Sequence, residues 1–243
     1  MAGGPNPMPG ARAIVVPHHW PAGALIAAGL RDLAATRRVG RVVLIGPDHA
    51  HAGAAPATTA AGAWRTPFGM LAGDPAAVDR LLATGLVRRD ARLTGQEHAI
   101  AGLVPAVRYY FPDAALVPLA VRNDPRPREL AALGATVAEI AGGPATGGDT
   151  VLVLSADFAH VASSAVARAN DRVTLDALRA FDLARIRAFD AAHLDGRGAL
   201  AVVLGALDRL DAVRFTPRAR FDGSQLPDVA GGPVTSYVVG YWR

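Results

Sequence analysis

Three stretches of the chain share one hydrophobic pattern. Ala11–His19 (ARAIVVPHH), Arg41–His51 (RVVLIGPDHAH) and Thr150–His160 (TVLVLSADFAH) each pass through a run of four or five apolar residues and reach histidine within a few positions. Such unbroken runs mark strands covered on both faces, as in a parallel sheet lying between helices. Between them the period changes. In Pro21–Thr36, Ile26, Leu30 and Leu33 fall on one helical stripe, with Pro21 in an early helical position. Pro75–Thr84, Arg128–Ala141, Ala165–Phe181 and Leu183–Phe189 also read as helices, the first two stopping at glycine. A further helix after Asp195-Gly196-Arg197-Gly198 carries Leu200, Val203, Leu204, Leu207 and Leu210. The stripe Ile100, Leu103, Val104, Val107 and Phe111 contains Pro105, which predicts a kink or a later helix start. Ala115–Ala120, Ala212–Phe221 and Val234–Tyr241 read as strands, and Thr66–Gly69 as a turn between two short ones.

This alternation predicts an α/β fold: a single domain over residues 11–243, with a mostly parallel central sheet and helices on both faces. Residues 1–10 (MAGGPNPMPG) are expected to form an unstructured tail, lacking the apolar centre of a signal peptide. The longest apolar stretch, Ala199–Leu207, is far short of the roughly 20 residues that span a bilayer. A cytoplasmic protein without membrane contact is therefore expected.

Composition narrows the chemistry. With 51% hydrophobic and 19% charged residues, the chain can form a folded core. Cysteine is absent, which excludes disulfides, thiolate ligands and cysteine nucleophiles. Lysine is absent too, which excludes Schiff-base chemistry. The net charge of +4 comes from arginines scattered in ones and twos; without a basic stripe or module motif, no nucleic-acid partner is expected. Glycine fingerprints for dinucleotides and nucleoside triphosphates are missing, as is a G-x-S-x-G nucleophile elbow.

Histidine carries the remaining signal. Open α/β sheets bind ligands at the carboxyl ends of their strands, where five of the seven histidines fall: His18, His19, His49, His51 and His160. His18 and His49, on strand ends expected to be adjacent, are candidate nitrogen ligands for a metal. His160 can serve as a ligand, a general base or a substrate contact. Glu97-His98 offers an acid and an imidazole at a helix start, with His19 and His51 beside the stronger candidates. Asp157 reads as a helix cap or as a group orienting a histidine, the cap being the default, and Asp195 reads as the N-cap of the helix that follows it.

Six short motifs occur in order: PHH at Pro17–His19, GPDH at Gly46–His49, TPFG at Thr66–Gly69, EHAI at Glu97–Ile100, SADFAH at Ser155–His160 and SYVV at Ser236–Val239. Together they resemble the Memo-like family, also called protein B of the AmmeMemoRadiSam system, whose patterns are PHAG, GPSHH, TPLG, EHSLE, SSDFSH, a Cys-Gly before a late helix, and a terminal S-Y. The resemblance implies a fold similar to the class III extradiol dioxygenases and a pocket able to hold a metal. It assigns His18 and His49 as ligands, puts Asp195-Gly196 where Cys-Gly is expected, and gives His160 the acid/base position. His18, His49 and Asp195 would then form the 2-His-1-carboxylate set of non-haem iron(II) oxygenases, with iron(II) expected ahead of copper or zinc. Glu97 and His98 would act beside it, on a small-molecule substrate. This chain departs from the family in PHHW for PHAG, in Ala101 for the second glutamate of EHSLE, and in having no cysteine. The rival readings are a non-enzymatic metal- or peptide-binding protein working beside a radical-SAM partner, and a metal-dependent hydrolase.

Overall fold

The computed structural model describes residues 4–145, 147–225 and 233–243. The strands are β1 Ala13–Val16, β2 Val39–Pro47, β3 Ala57–Thr59, β4 Trp64–Thr66, β5 Gly69–Gly73, β6 Val87–Arg89, β7 Ala115–Val121, β8 Asp149–Ser155, β9 His160–Val161, β10 Phe215–Asp222 and β11 Val234–Trp242. The α-helices are α1 Gly23–Ala34, α2 Pro75–Ala83, α3 Ala91–Gln96, α4 His98–Ala101, α5 Val104–Tyr110, α6 Pro127–Gly142, α7 Ser164–Ala180, α8 Leu183–Arg187 and α9 Arg197–Arg209.

The sheet runs β10-β11-β1-β8-β2-β7-β3-β6, with β5 also paired to β7, β4 to β5 and β9 to β11. Its centre, β1-β8-β2-β7, is parallel throughout. The flanks β10-β11-β1 and β7-β3 are antiparallel, so the sheet is mixed around a parallel heart. The apolar runs are explained by burial on both faces, since alternate strand residues point to opposite sides. Val15, Val43, Ile45, Val117, Leu119, Leu152 and Leu154 enter a core shared with α6 and α9. Ile14, Val16, Val42, Leu44, Leu116, Val151 and Val153 enter a second core with α1, α4 and α5.

Two expectations change. β1 and β2 are not neighbours: β8 lies between them, so the SADFAH segment is inserted between the ends that carry His18 and His49. The expected unstructured tail is partly packed. Met8 is fully buried, its N–H donates to Thr36 Oγ1 at 2.8 Å, and the chain turns at Gly10 (φ +73°). The reason is apolar: Met8 fills the second core beside Ile14 and Leu33. Residues 1–3 of that tail lie outside the described residues. Of the two outcomes expected at Pro105, the later helix start is the one found: the stripe is two helices, with Pro105 in the first turn of α5, where a missing N–H costs no hydrogen bond.

Candidate metal centre

The carboxyl ends of the four central strands supply the site. His18 follows β1, Asp157 follows β8, His49 follows β2 and Asn123 follows β7. Parallel register brings these loops to one edge of the sheet. Asp195 comes in from the other direction, just before α9. Its expected role as N-cap does not hold: Gly196 is the N-cap, and the Asp195 carboxylate turns toward the imidazoles. This is possible because α9 packs tightly on the end of β7. A Cβ on Gly198 would lie 2.1 Å from the Arg122 carbonyl oxygen. Asn123 locks the approach, donating from Nδ2 to the Asp195 carbonyl (2.7 Å) and accepting the Gly198 N–H at Oδ1 (3.0 Å).

One carboxylate oxygen is the focus. Asp195 Oδ2 lies 3.2 Å from His18 Nε2 and 3.4 Å from His49 Nε2. The two imidazole rings meet edge to face, with centroids 5.0 Å apart. Asp195 is tied to the β8 loop in both directions: its Oδ1 accepts the Asp157 N–H (3.2 Å), and its N–H donates to the Asp157 carbonyl (3.2 Å).

Each imidazole has an orienting partner. Glu97 Oε1 faces His49 Nδ1 at 2.8 Å, while Oε2 accepts the His49 backbone N–H at 2.9 Å. Glu97 also caps α4 by accepting the Ala99 N–H. The pairing makes His49 Nδ1 a donor and leaves Nε2 pointing at Asp195. On His18, Nδ1 lies 3.3 Å from Ser155 Oγ. The backbone N–H of His18 donates to Asp157 Oδ1 (3.0 Å). His98 stacks on His49 at 4.3 Å between centroids, and His160 shares its Nδ1 with the Phe158 carbonyl at 2.9 Å.

The electrostatics follow from this geometry. Burial opposes the charge on Asp195, but His18 and His49 outweigh it and hold the carboxyl well below the usual range. Burial likewise opposes a proton on His49, but Asp195 and Glu97 overcome it and push its pKa up to about 10. Glu97 is lowered: burial raises it, while His49 and the Ala99 N–H win. His98 moves down, first through burial and then through its neighbours His49 and His18. His19 is raised, chiefly by its hydrogen bond to Asp157.

This donor set fits a divalent cation. His18 Nε2 is buried 3.2 Å from Asp195 Oδ2 and forms no well-aligned hydrogen bond among the described residues. Three groupings could hold an ion, each with ligand atoms within 4.8 Å of one another: His18 with His49 and His98, His18 with His19 and Asp157, and Asp157 with His160 and Asp195; the set expected from sequence, His18 with His49 and Asp195, is not one of the three. The groupings overlap in one cluster of histidines and aspartates.

Of the residues singled out from sequence, His18, His49, Glu97, His98, His160 and Asp195 lie together. His51 lies outside the cluster, 3.8 Å from Asp124. Two residues matter more than the sequence reading gave them. Asp157 is no helix cap; its fully buried carboxylate holds the His18 backbone and, at 2.7 Å, His19 Nδ1. Asn123 went unnoticed, although a polar residue just past the end of an apolar strand is the same signal that marks His18 and His49.

Fold and site define the class: an α/β domain with a parallel-centred sheet and a histidine–carboxylate cluster at its strand ends. Within that class the chain belongs to the Memo-like protein family, whose model matches residues 2–241. It is similar to a MEMO1 family protein of Methanopyrus kandleri, 31% identical over 190 residues that cover 74% of this chain and 62% of that one. A MEMO1 family protein of Methanothermobacter thermautotrophicus is 27% identical over 175 residues, covering 70% and 62%. One from Nitrosopumilus maritimus is 26% identical over 209 residues, covering 82% and 71%. The match thus spans about 62% of the length of the first two of these relatives. The fold is also like that of an uncharacterized protein from Escherichia coli K12 whose crystal structure is solved. That likeness has a TM-score of 0.61 at 16% identity, over 94% of this chain and 98% of that one. No helix among the described residues is long and apolar enough to cross a membrane.

Proposed function

We propose that this protein is a metal-dependent oxidoreductase of a small molecule, its ion held by His18, His49 and Asp195, with iron(II) as the resident metal. The observation that carries the reading is the convergence of two imidazole Nε2 atoms on Asp195 Oδ2, at 3.2 and 3.4 Å. Two neutral nitrogens and one carboxylate are the donor set of non-haem iron oxygenases, and a bound iron(II) would supply binding of dioxygen and electron transfer between it and the substrate. The chain's own groups have separable tasks. Glu97 fixes the His49 ring through Nδ1, so that once the ring has lost its second proton Nε2 is the nitrogen left for the ion. Asp157 and Asn123 hold the loops that carry His18 and Asp195. His160 donates Nδ1–H to the Phe158 carbonyl, which leaves its Nε2 to take or return a substrate proton. His98 stacks on His49 and forms a half-exposed wall on which a planar substrate would lie.

The test is anaerobic reconstitution with iron(II), metal analysis after gel filtration, and oxygen uptake with catechol-like compounds. About one iron per chain is expected, falling below a tenth in His18→Ala and Asp195→Ala. No retained metal in the wild type refutes the site. Stoichiometric metal without oxygen uptake on any such compound refutes the oxidoreductase reading and leaves a metal-binding protein.

A further inference from the structure

A second cavity, of about 490 Å³, lies between the N-terminal half of α6, α8 and the first turns of α9. None of the clustered imidazoles lines it. Its floor is apolar, formed by Leu130, Leu183, Ile186, Ala201 and Leu204, and its volume is in the range of small-molecule sites. Two arginines complete the lining. Arg187, exposed at the end of α8, makes no ion pair or hydrogen bond among the described residues. Arg197 uses Nε and Nη1 on the Asn123 and Phe189 carbonyls (3.2 and 3.3 Å) and pairs with no carboxylate among the described residues. The acid in the lining, Asp124, is already engaged by Arg122 through two hydrogen bonds of 2.9 and 2.6 Å. An apolar cavity whose lining includes two arginines, neither paired with a carboxylate among the described residues, is complementary to a molecule with an apolar tail and one carboxylate.

We propose that this cavity binds a medium-chain alkyl carboxylate, its tail over Leu204 and Ile186 and its head at Arg187 and Arg197. The site also touches the metal loop: Asn123, in its lining, is the residue that holds the Asp195 carbonyl and the Gly198 N–H. The proposal does not depend on the metal reading, because binding can be measured on metal-free protein.

Calorimetric titration of the full chain with hexanoate, octanoate, decanoate and decanol, all below micellar concentrations, tests it. Decanoate should bind once and saturably, each two-carbon extension should tighten binding about tenfold, and decanol should bind at least tenfold more weakly than decanoate. Arg187→Ala, at an exposed and unpaired position, should weaken decanoate at least tenfold. Ala201→Leu should abolish binding by filling the cavity; should that variant not fold, Arg187→Ala and the chain-length series decide. Absence of saturable decanoate binding, equal affinity for decanol, or an unchanged affinity in Arg187→Ala overturns the proposal.

Discussion

An ion entering between His18, His49 and Asp195 must first displace the proton that His49 shares with Asp195. His49 Nδ1 faces Glu97 at 2.8 Å and Nε2 faces Asp195 at 3.4 Å, and the two carboxylates push its pKa up to about 10. At pH 7 the metal-free ring therefore carries both protons in nearly every molecule. A metal ligates only the neutral ring, so apparent affinity should rise about tenfold per pH unit from 7 to 9 and level off above about 10. Asp195 adds no slope in this range, because its carboxyl is held well below the usual values and stays ionised throughout. The assay is a competition titration of zinc(II) against a chelator of known pH dependence, with proton release measured calorimetrically in two buffers. Close to one proton should leave per ion bound at pH 8. Glu97→Gln removes one of the two charges that hold the proton, so its slope should flatten below that of the wild type. An affinity that stays flat between pH 7 and 9, once the chelator is corrected for, refutes the reasoning.

The same shifts set the stability of the metal-free protein. His49 is raised on folding, so its contribution is fully present below about pH 6.5 and lost as pH climbs toward 10. Asp195 and Glu97 are lowered, so theirs is present above about pH 4.5 and lost as pH falls through the folded values. Thermal melts of metal-free protein should therefore peak between about pH 4.5 and 6.5 relative to His49→Gln. Glu97→Gln should also weaken metal binding at high pH by about 10–100-fold, since it loosens the ring that Glu97 orients; equal affinity at pH 10 would remove that role. Ser236 Oγ accepts the Ala159 N–H (2.9 Å) and donates to the buried Asp171 (2.7 Å), so Ser236→Ala should cost about 1–3 kcal/mol in urea unfolding. Met8→Ala should cost about 2–5 kcal/mol, as expected for a fully buried side chain; an effect below about 0.5 kcal/mol would restore the unstructured tail.

Hydrophobic pattern made the parallel heart of the sheet legible, because strands buried on both faces carry runs such as Ile14-Val15-Val16 and Val42-Val43-Leu44-Ile45 that no surface element would hold. It did not reveal β3, β6 or β9, which are two or three residues long and include Thr58, Arg88 and His160, so pairing with a neighbour rather than local pattern defines them. Strand order was hidden for a similar reason. Nothing in the residues of β8 states that it sits between β1 and β2. The strand-end histidines were visible because imidazole after an apolar run is conspicuous. Asp195 was not: an aspartate before a helix looks the same whether it caps the helix or turns away, and the resemblance to the Cys-Gly pattern is the one sequence signal that points to the second; the N-cap at Gly196 separates them.

The difference between aspartate and cysteine at that position matters chemically. A thiolate there would be a soft donor and Asp195 is a hard one, so an ion held as proposed, with two imidazoles beside Asp195, would be a metal such as iron(II) rather than copper(I). The change comes with a second one. His19, where the family has alanine, places its Nδ1 2.7 Å from Asp157 Oδ2, and Asp157 also holds the His18 backbone and donates its N–H to Asp195 Oδ1. The imidazole at position 19 therefore gives Asp157 a hydrogen-bond partner one residue away from His18. Asp157 and Asp195 are two carboxylates linked by hydrogen bonds through their own backbones. Each carboxylate has imidazoles on it: His19 on Asp157, and His18 and His49 on Asp195.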